Sequence, residues 1–369
     1  MSAHRIPFMS LVPGEDAADV RAAIDRVIAR GWFVLGPEVS AFEQEFAAAS
    51  GAAHAVGVGT GTDAIALILR GLGIGAGDEV ITSPLSAAYS ALAIMMAGAR
   101  PVFADVDAQR ATIDPSRIAE RIGPRTRAIM PVHLYGQPAD MAAIERLAER
   151  HHLAIVEDAC QAHLATSGGR PVGTIGAAGA FSFYPTKNLG ALGDGGAIIT
   201  NDKALADRLK RLRNGGQTDR YQHVEPGINS RLDDIQSAIL RARLPRLQRW
   251  TARRRAIAAR YRSALAGAAV ELLPERDPGH VYHLFVVRTA ERDALQAHLA
   301  NLGVETLIHY PVAIPRQPAL AAEQPDDCPV ATRMCREILS LPLHPALRDD
   351  EVDQIAAAVH AFQPRPVVS

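Results

Sequence analysis

The middle of the chain alternates short apolar runs with helical patterns, and this alternation constrains the fold more than any other feature. Amphipathic helical segments such as Met141–Arg150 lie between the runs. Strands that alternate with helices form a mostly parallel sheet covered on both faces, so we predict an α/β domain with a seven-stranded sheet. The seven runs are residues 55–58, 79–82, 101–105, 128–132, 154–158, 180–183 and 196–200.

The chain of 369 residues is longer than one hydrophobic core usually serves, so we expect two domains. A long arginine-rich helical stretch, interrupted by Pro245, runs to about Leu265 and leads into a different pattern. A strand-like run at 281–288 and helical patterns at 292–302 and 350–362 predict a smaller α+β domain. We therefore place the large domain at residues 1–245 and the small C-terminal domain at residues 246–369. Whether the first ~35 residues pack with the small domain is left open.

Composition excludes several classes of function. The chain is 48% hydrophobic and 21% charged with a net charge of -1, which is typical of a soluble globular protein. Neither a basic face nor a recognition helix indicates nucleic acid, and no apolar stretch approaches the ~20 residues of a membrane span. The cysteines Cys160, Cys328 and Cys335 lack zinc-type spacing, so no metal site is predicted. Their odd number, with an N-terminus that lacks a signal-peptide core, favours a cytoplasmic protein.

The chain contains only three lysines against thirty-six arginines. Arginine stays protonated, so an amine that can lose its proton should be sought among the lysines. Lys203 and Lys210 lie on the charged face of a helical pattern whose leucines form an apolar stripe, which indicates a solvated surface. Lys187 instead lies between an apolar strand and a run of glycines, where backbone can approach a ligand closely.

Two other segments carry groups that could bind a ligand beside Lys187. The strand 154–158 ends in Glu157 and Asp158, which point to opposite faces; Asp158 could keep a pyridine nitrogen protonated or could cap a helix. Residues 59–63 follow the first strand and open a helix, which suits phosphate binding or ordinary capping. Glycine spacing rules out a dinucleotide fingerprint and a P-loop. An amine, a carboxylate and an anion cradle together predict a pyridoxal phosphate site.

Five ordered motifs resemble those of the DegT/DnrJ/StrS-type sugar aminotransferases, and the likeness runs from residues 31–38 to residues 339–344. The resemblance implies the aspartate aminotransferase fold, type I among pyridoxal phosphate enzymes, and a homodimer with shared active sites. The motifs are residues 132–137, 157–163, 182–196, 227–233 and 309–311.

The resemblance also assigns roles to residues. Lys187 would carry pyridoxal 5'-phosphate as a Schiff base, Asp158 would hold the pyridine nitrogen, and Gln161 would lie beside the ring. The catalytic candidates are thus Lys187 and Asp158, with pyridoxamine 5'-phosphate as the intermediate cofactor form. The phosphate would be held by Ser182, Thr62, the backbone of Gly61 and Asp63, and Asn229 of the second subunit.

One position departs from the pattern of the family. Many members place an aromatic residue over the cofactor ring, whereas this chain has Ala87 there and Tyr89 two residues later. We expect an apolar contact from Ala87, with Tyr89 as the alternative. Relatives that dehydrate sugars carry histidine in place of Lys187, and this chain keeps the lysine.

The resemblance implies transfer of an amino group, with L-glutamate as donor, to a nucleotide-linked keto sugar. Residues 221–223 and 227–233 look more like members that aminate C3, and amination at C4 is the alternative. A dehydratase-like or regulatory protein that binds pyridoxal phosphate without transaminating is the other alternative. The candidates for substrate contacts are Trp32, Tyr184, Arg231, His309 and Tyr310.

Overall fold

The computed structural model describes residues 5–320 and 327–363. Within these ranges, the strands are β1 His54–Val58, β2 Glu79–Thr82, β3 Arg100–Phe103, β4 Thr126–Met130, β5 Ala154–Asp158, β6 Thr166–Ser167, β7 Arg170–Pro171, β8 Ala178–Ser182, β9 Gly196–Thr200, β10 Gln217–Asp219, β11 Gln222–His223, β12 Glu271–Leu272, β13 Phe285–Arg288 and β14 Ile338–Leu341.

The α-helices in the same ranges are α1 Ala17–Arg30, α2 Pro37–Ala49, α3 Gly61–Gly71, α4 Tyr89–Met96, α5 Pro115–Arg121, α6 Met141–His151, α7 Lys203–Leu212, α8 Asp234–Arg243, α9 Leu247–Ala264, α10 Arg292–Asn301, α11 Pro329–Glu337 and α12 Asp349–His360. Short 3₁₀ turns occur at Leu134–Gly136, Leu244–Arg246 and Ile314–Arg316.

The central sheet has seven strands in the order β1-β9-β8-β5-β4-β2-β3. The five strands from β8 to β3 run parallel, and β9 runs antiparallel to both of its neighbours, β1 and β8. All seven apolar runs of the sequence form these strands, so the predicted seven-stranded, mostly parallel sheet is confirmed.

Helices cover both faces of this sheet, as its apolar strands require. On one face, α3 is buried along most of its length, and Leu205, Leu209 and Leu212 of α7 pack beside it. On the other face, α5 and α6 contribute Ile118 and Ile144 to a separate cluster with the strands.

The C-terminal part has its own antiparallel sheet, in the order β12-β13-β14. Its core includes Tyr261 of α9, Leu299 of α10 and Ile355 of α12, which confirms a smaller α+β unit. A 3₁₀ turn that contains Pro245 separates α8 from α9, because proline cannot donate the hydrogen bond that would continue a helix.

The N-terminal segment contacts both parts of the chain. Ile6 forms a parallel bridge with Val304 and lies in the core of the small sheet, whereas α1 packs against α8 through Val27 and Ala238. The domain boundary at residues 245/246 stays a prediction.

Candidate active site

Three segments that the sequence marked as ligand-binding reach the same edge of the central sheet. Strands β1, β5 and β8 point the same way, because β9 lies antiparallel between β1 and β8 and β8 is parallel to β5. Their carboxyl ends lead into α3, Asp158 and Ser182 respectively. Ligands of open α/β sheets bind at this edge, so the topology itself brings the three segments together.

The first turn of α3 forms the end of the site that could bind an anion. Thr60 has extended backbone angles and its Oγ1 accepts a hydrogen bond from the N–H of Asp63 at 3.0 Å, so the capping interpretation holds for this threonine. The N–H groups of Gly61 and Thr62 precede the first intrahelical hydrogen bond and can reach an anion. The Asp63 N–H, one of the predicted phosphate donors, is already engaged by Thr60.

Gly61 allows this helix to approach Ser182 closely. A Cβ atom at position 61 would lie 2.7 Å from the Cys160 Sγ and 2.8 Å from the Ser182 Cβ, so only glycine fits. The helix N-terminus and the Ser182 hydroxyl therefore line one small space, as the predicted phosphate site requires.

The segment around Asn229 is tied to the same helix start. Ser230 Oγ donates to Asp63 Oδ2 at 2.8 Å and accepts from the N–H of Gly59 at 2.9 Å. Asn229 beside it is exposed, and Arg231 donates to Asn214 Oδ1 at 3.0 Å.

Trp32 lies on a chain segment that contacts this one. The Trp32 side chain is 56% exposed, and Val34, whose carbonyl it binds, forms an antiparallel bridge with Asp233. Asn229 and Trp32 are both exposed to solvent in the single chain, whereas Asp158 and Gln161 are buried.

Asp158 is held by two hydrogen bonds. The Ser90 hydroxyl donates to Oδ2 at 2.8 Å and the N–H of Cys160 donates to Oδ1 at 3.2 Å. No helix begins in the residues directly after Asp158, so the capping alternative does not apply to this side chain.

Glu157 has a separate set of partners, as expected for a side chain on the opposite face of the strand. It accepts from the N–H groups of Gly173, Ile175 and Gly176 at 2.7–2.8 Å. Glu157 therefore organises a structural loop, and Asp158 is the carboxylate that faces the site.

The amine of Lys187 shares this site with Asp158 and Cys160. Burial lowers the pKa of Lys187 because it penalises the ammonium form, although the charge of Asp158 acts in the opposite direction. Burial, followed by the charge of Asp158, also raises the pKa of the Cys160 thiol, so that thiol stays neutral. Lys203, by contrast, is exposed and bonds Asp207 on its own helix.

Gln161 connects the site to the small domain. Its Oε1 accepts from the N–H of Tyr135 at 2.7 Å and its Nε2 donates to the Tyr310 hydroxyl at 3.1 Å. The Tyr135 hydroxyl donates to the carbonyl of His309, so residues 309–310 are fixed against the wall of the site.

His309 and Tyr310 are both neutral in this setting. Burial, with the nearby charge of Lys187, lowers the pKa of His309 to about 4. Burial, with the charge of Asp158, raises the pKa of Tyr310. Both candidate substrate residues therefore lie near Lys187 and Asp158.

Two aromatic candidates are exposed rather than packed over the site. Tyr89 is 64% exposed and Tyr184 is 51% exposed, whereas Ala87 is partly buried and Ser86 and Ser90 are buried. This arrangement favours Ala87 over Tyr89 as the cover of a bound ring, and the assignment stays a prediction.

The donor set fits pyridoxal phosphate. A helix start and a hydroxyl suit the phosphate, a fixed carboxylate suits the pyridine nitrogen, and a buried amine with a lowered pKa suits the carbonyl carbon. Among the described residues, no group of three or more His, Cys, Asp or Glu side chains could hold a metal ion. No helix within 5–320 or 327–363 is long and apolar enough to cross a membrane.

Comparison with known proteins agrees with this chemistry. The model of the DegT/DnrJ/EryC1/StrS aminotransferase family matches residues 15–360. The chain belongs to this family. Its family, its type I fold and its class of enzyme, as predicted from the sequence, are thereby confirmed.

Individual aminotransferases of the family are similar over nearly the whole chain. The dTDP-3-amino-3,4,6-trideoxy-alpha-D-glucose transaminase of Streptomyces venezuelae is 48% identical, over 98% of this chain and 97% of its own. The dTDP-3-amino-3,6-dideoxy-alpha-D-galactopyranose transaminase of Aneurinibacillus thermoaerophilus is 44% identical, over 97% and 99%. The crystal structure of S. venezuelae DesV in complex with a ketimine intermediate has a TM-score of 0.93 at 49% identity, and the match covers 96% of this chain and 98% of that one.

Sequence reasoning missed three groups that this family member uses to build its site. Ser90 and the backbone of Cys160 hold Asp158, and Tyr135 links Gln161 to His309. A signal for Ser90 existed, since Ser86 and Ser90 are four residues apart in an otherwise apolar segment and their hydroxyls lie 3.1 Å apart.

Proposed function

We propose that this chain uses pyridoxal phosphate to transfer an amino group from L-glutamate to the C3 carbonyl of a nucleotide-linked keto sugar. The observation that carries the proposal is the meeting, at one sheet edge, of the Lys187 amine, the Asp158 carboxylate and the start of α3. Burial lowers the pKa of the amine, which favours the neutral form that can bond a carbonyl carbon or accept a proton.

The cofactor would be held at its two ends. Gly61, Thr62 and Ser182 would bind the phosphate, together with Asn229 of a second copy of the chain, and Asp158 would bind the pyridine nitrogen. When bound, pyridoxal phosphate supplies an electron sink that stabilises negative charge at the carbon bearing the amine. Gln161 would lie beside the ring, anchored through Tyr135 and Tyr310.

Lys187 would move the proton. Its Nζ would take the proton from the amine-bearing carbon of glutamate, which leaves as 2-oxoglutarate, and would later deliver a proton to C3 of the sugar. Arginine could not replace it, because a guanidinium stays protonated and cannot act as the base. Asp158, held by Ser90 and Cys160, would keep the ring nitrogen protonated throughout.

The position of amination is supported by the names of the relatives. The transaminases from S. venezuelae and A. thermoaerophilus are both named for 3-amino sugars linked to dTDP. This agrees with the expectation of C3 over C4 that rested on residues 221–223 and 227–233. The product would serve amino-sugar synthesis in the cytoplasm.

A homodimer would complete the site. Trp32 and Asn229 are exposed in the single chain, Ser230 next to Asn229 is hydrogen-bonded to Asp63 at the start of α3, and Tyr184 is exposed three residues before Lys187. Large exposed aromatic residues are typical of contact surfaces between chains. We therefore infer that Asn229 and Trp32 act in the site of the second subunit.

One assay tests the function and its alternatives. Protein loaded with pyridoxal phosphate is mixed with ¹⁵N-glutamate and a panel of dTDP- and UDP-linked sugars that carry a 3-keto or a 4-keto group. We expect stoichiometric 2-oxoglutarate and a product labelled at C3. A product labelled at C4 would support the C4 alternative. Release of ammonia, or loss of water from the sugar, with no ¹⁵N in the sugar product would support a dehydratase. No amine transfer to any sugar would refute the proposal.

A further inference from the structure

The loop 31–36, which joins α1 to α2, carries three exposed apolar side chains in a row. Trp32 is 56% exposed, Phe33 is 46% exposed and Val34 is 41% exposed. A loop that buries so little of its own surface keeps one conformation only if other contacts hold it. Those contacts come from the start of α8, 198 positions later in the chain.

The carboxylate of Asp234 holds the end of the loop that leads into α2. Its Oδ2 accepts from the N–H of Gly36 at 2.7 Å, and its Oδ1 accepts from the N–H of Glu38 at 3.0 Å. These N–H groups lie at the start of α2, where the helix itself offers no carbonyl to accept from them. Asp234 is fully buried, so both hydrogen bonds are shielded from water.

Backbone contacts extend this joint along the loop. The N–H of Asp234 donates to the carbonyl of Phe33 at 3.0 Å, and Val34 forms an antiparallel bridge with Asp233. The indole N–H of Trp32 donates to the carbonyl of Val34 at 2.9 Å. Consecutive contacts therefore run from the start of α8 to the indole of Trp32.

Gly36 allows α2 to meet Asp234 this closely. A Cβ atom at position 36 would lie 2.5 Å from Oδ1 and 2.8 Å from Cγ of Asp234, so a side chain there would displace the carboxylate. The backbone angles of Gly36, φ -89° and ψ -168°, are open to any residue. The contact with Asp234, and not the turn itself, therefore requires the glycine.

The other side of the joint is the segment that carries Asn229, four positions before Asp233. Asn229 has anchors of its own, because Ser230 bonds to the start of α3 and Asn229 forms a bridge with Asn214. Within the described ranges, the hydrogen bonds that reach the loop 31–36 from beyond α1 and α2 come from residues 233 and 234. Loss of the Asp234 carboxylate should therefore release the loop and leave Asn229 in place.

We propose that Asp234 is a positioning residue for the site of the second subunit, where it holds the loop 31–36 so that Trp32 packs against the bound sugar. The proposal rests on the proposed homodimer and amino transfer. An indole offers a large, flat apolar face that suits the C–H groups of a sugar ring. Such a contact binds substrate and transition state alike, so its loss should raise the KM for the sugar and leave kcat unchanged.

The test separates an effect on the partner's site from a general loss of structure. Two heterodimers are purified through two affinity tags, and each contains one Lys187→Arg chain, so that only the site of the other chain works. In the first heterodimer, Asp234→Asn lies in the Lys187→Arg chain. In the second, Asp234→Asn lies in the chain with the working site. Both carry the same two substitutions, so a purely structural defect would affect them equally.

We expect the KM for the keto sugar to rise about 10-fold in the first heterodimer and to stay within about 2-fold in the second, with similar kcat in both. Gly36→Ala in place of Asp234→Asn should give the same asymmetry, because it breaks the contact from the other side. Asp202→Asn is the matched control, since the exposed Asp202 carboxylate also accepts from two N–H groups at a helix start. It should change the sugar KM in neither heterodimer.

A second measurement needs no turnover. The chain has two tryptophans, so Trp250→Phe leaves Trp32 as the reporter of the loop. In this background we expect Asp234→Asn to lower the fluorescence anisotropy of Trp32. The affinity for dTDP-glucose, a nucleotide-linked sugar without a keto group, should fall about 10-fold. Melting temperatures report on folding.

Equal sugar KM values in the two heterodimers would overturn the inference. Unchanged anisotropy of Trp32 in folded Asp234→Asn, or a monomer that is fully active, would also overturn it, and these outcomes would leave the amino transfer itself standing. Lower anisotropy and weaker dTDP-glucose binding in a protein that aminates no sugar would contradict the proposed function and support the role of Asp234.

Discussion

The hydroxyl of Ser90 donates a hydrogen bond of 2.8 Å to Oδ2 of Asp158, across the start of helix α4. With the N–H of Cys160 on Oδ1, this bond fixes the carboxylate of a buried aspartate at the carboxyl edge of the sheet. The orientation of the group proposed to hold the pyridine nitrogen is therefore set by one serine hydroxyl and one backbone N–H.

Replacing Ser90 with alanine should weaken the cofactor and slow proton transfer. A hydrogen bond to a charged group contributes about 1.5 kcal/mol or more, so we expect kcat to fall about 10-fold and the dissociation constant of pyridoxal phosphate to rise by a similar factor. Ser90→Thr keeps the hydroxyl and should restore most of both values. Ser86→Ala removes only the neighbour of Ser90 and is the matched control; an equal loss in Ser86→Ala, or none in Ser90→Ala, would refute this role.

Adding a methyl group at Gly61 should damage the phosphate cradle. The new Cβ would meet Cys160 and Ser182 at less than 3 Å, and overpacking of this kind costs about 1–3 kcal/mol. We expect Gly61→Ala to lose affinity for both pyridoxal phosphate and free phosphate, measured by fluorescence titration. Gly123→Ala, where a Cβ meets nothing within 4 Å, should behave like the unchanged protein. Normal cofactor binding in Gly61→Ala would show that the phosphate lies elsewhere.

Mixing two inactive subunits should restore activity if the sites are shared. Lys187→Arg removes the base from one chain, and Asn229→Asp places a negative charge where the partner's phosphate is expected. Half of the randomly mixed dimers would each hold one intact site, so about a quarter of full activity should return. The measurement is 2-oxoglutarate formation after denaturation and refolding of the mixture. Activity no greater than that of the separate variants would contradict the shared site.

Acid should destabilise the fold in part through His163. Both ring nitrogens of His163 lack hydrogen-bond partners among the described residues, and burial, with the charge of Lys187, lowers its pKa to about 3. Between its ordinary pKa of 6.5 and about 3, the unfolded chain binds more protons than the folded chain. The free energy of unfolding must therefore decrease as pH falls through that range.

His163→Leu should flatten this dependence. One buried histidine contributes a slope of up to about 1.4 kcal/mol per pH unit. The free energy of unfolding in urea should therefore decrease between pH 6.5 and pH 4.5 by roughly 1–3 kcal/mol less in the variant than in the unchanged protein. Leucine loses no hydrogen bond at this position, so stability at pH 7.5 should be retained. Parallel pH profiles for the two proteins would contradict the account.

Much of the sheet was predictable, because each buried strand is a separate apolar run. The direction of β9 was harder to predict, because the apolar run Gly196–Thr200 predicts a strand but not whether it runs parallel or antiparallel to its neighbours. A clue was available: no helical pattern separates Ser182 from Gly196, and parallel neighbours need a crossover connection of that kind. The domain boundary depends on packing between distant segments such as Ile6 and Val304, which no local pattern reports.

In the candidate site, too, local features were predictable and long-range contacts were not. That Lys187 and Asp158 lie in one site was predictable because Asp158 ends a strand and Lys187 closely follows another, and both strands are visible in the sequence; their catalytic roles stay predictions. The contact of Ser90 with Asp158 joins residues 68 positions apart, and the contact of Tyr135 with His309 joins residues 174 positions apart. Long-range partners of this kind depend on tertiary packing.

The central claim is that the amine of Lys187 carries out the proton transfer. The most direct measurement is the release of 2-oxoglutarate from L-glutamate and a nucleotide-linked 3-keto sugar by Lys187→Arg. Lys203→Arg, at an exposed position of α7, is the control. We predict a loss of at least about 100-fold in Lys187→Arg and none in Lys203→Arg. Turnover by folded, cofactor-loaded Lys187→Arg within about 10-fold of the unchanged protein would contradict the account, because general acid–base catalysis typically contributes about 100-fold or more.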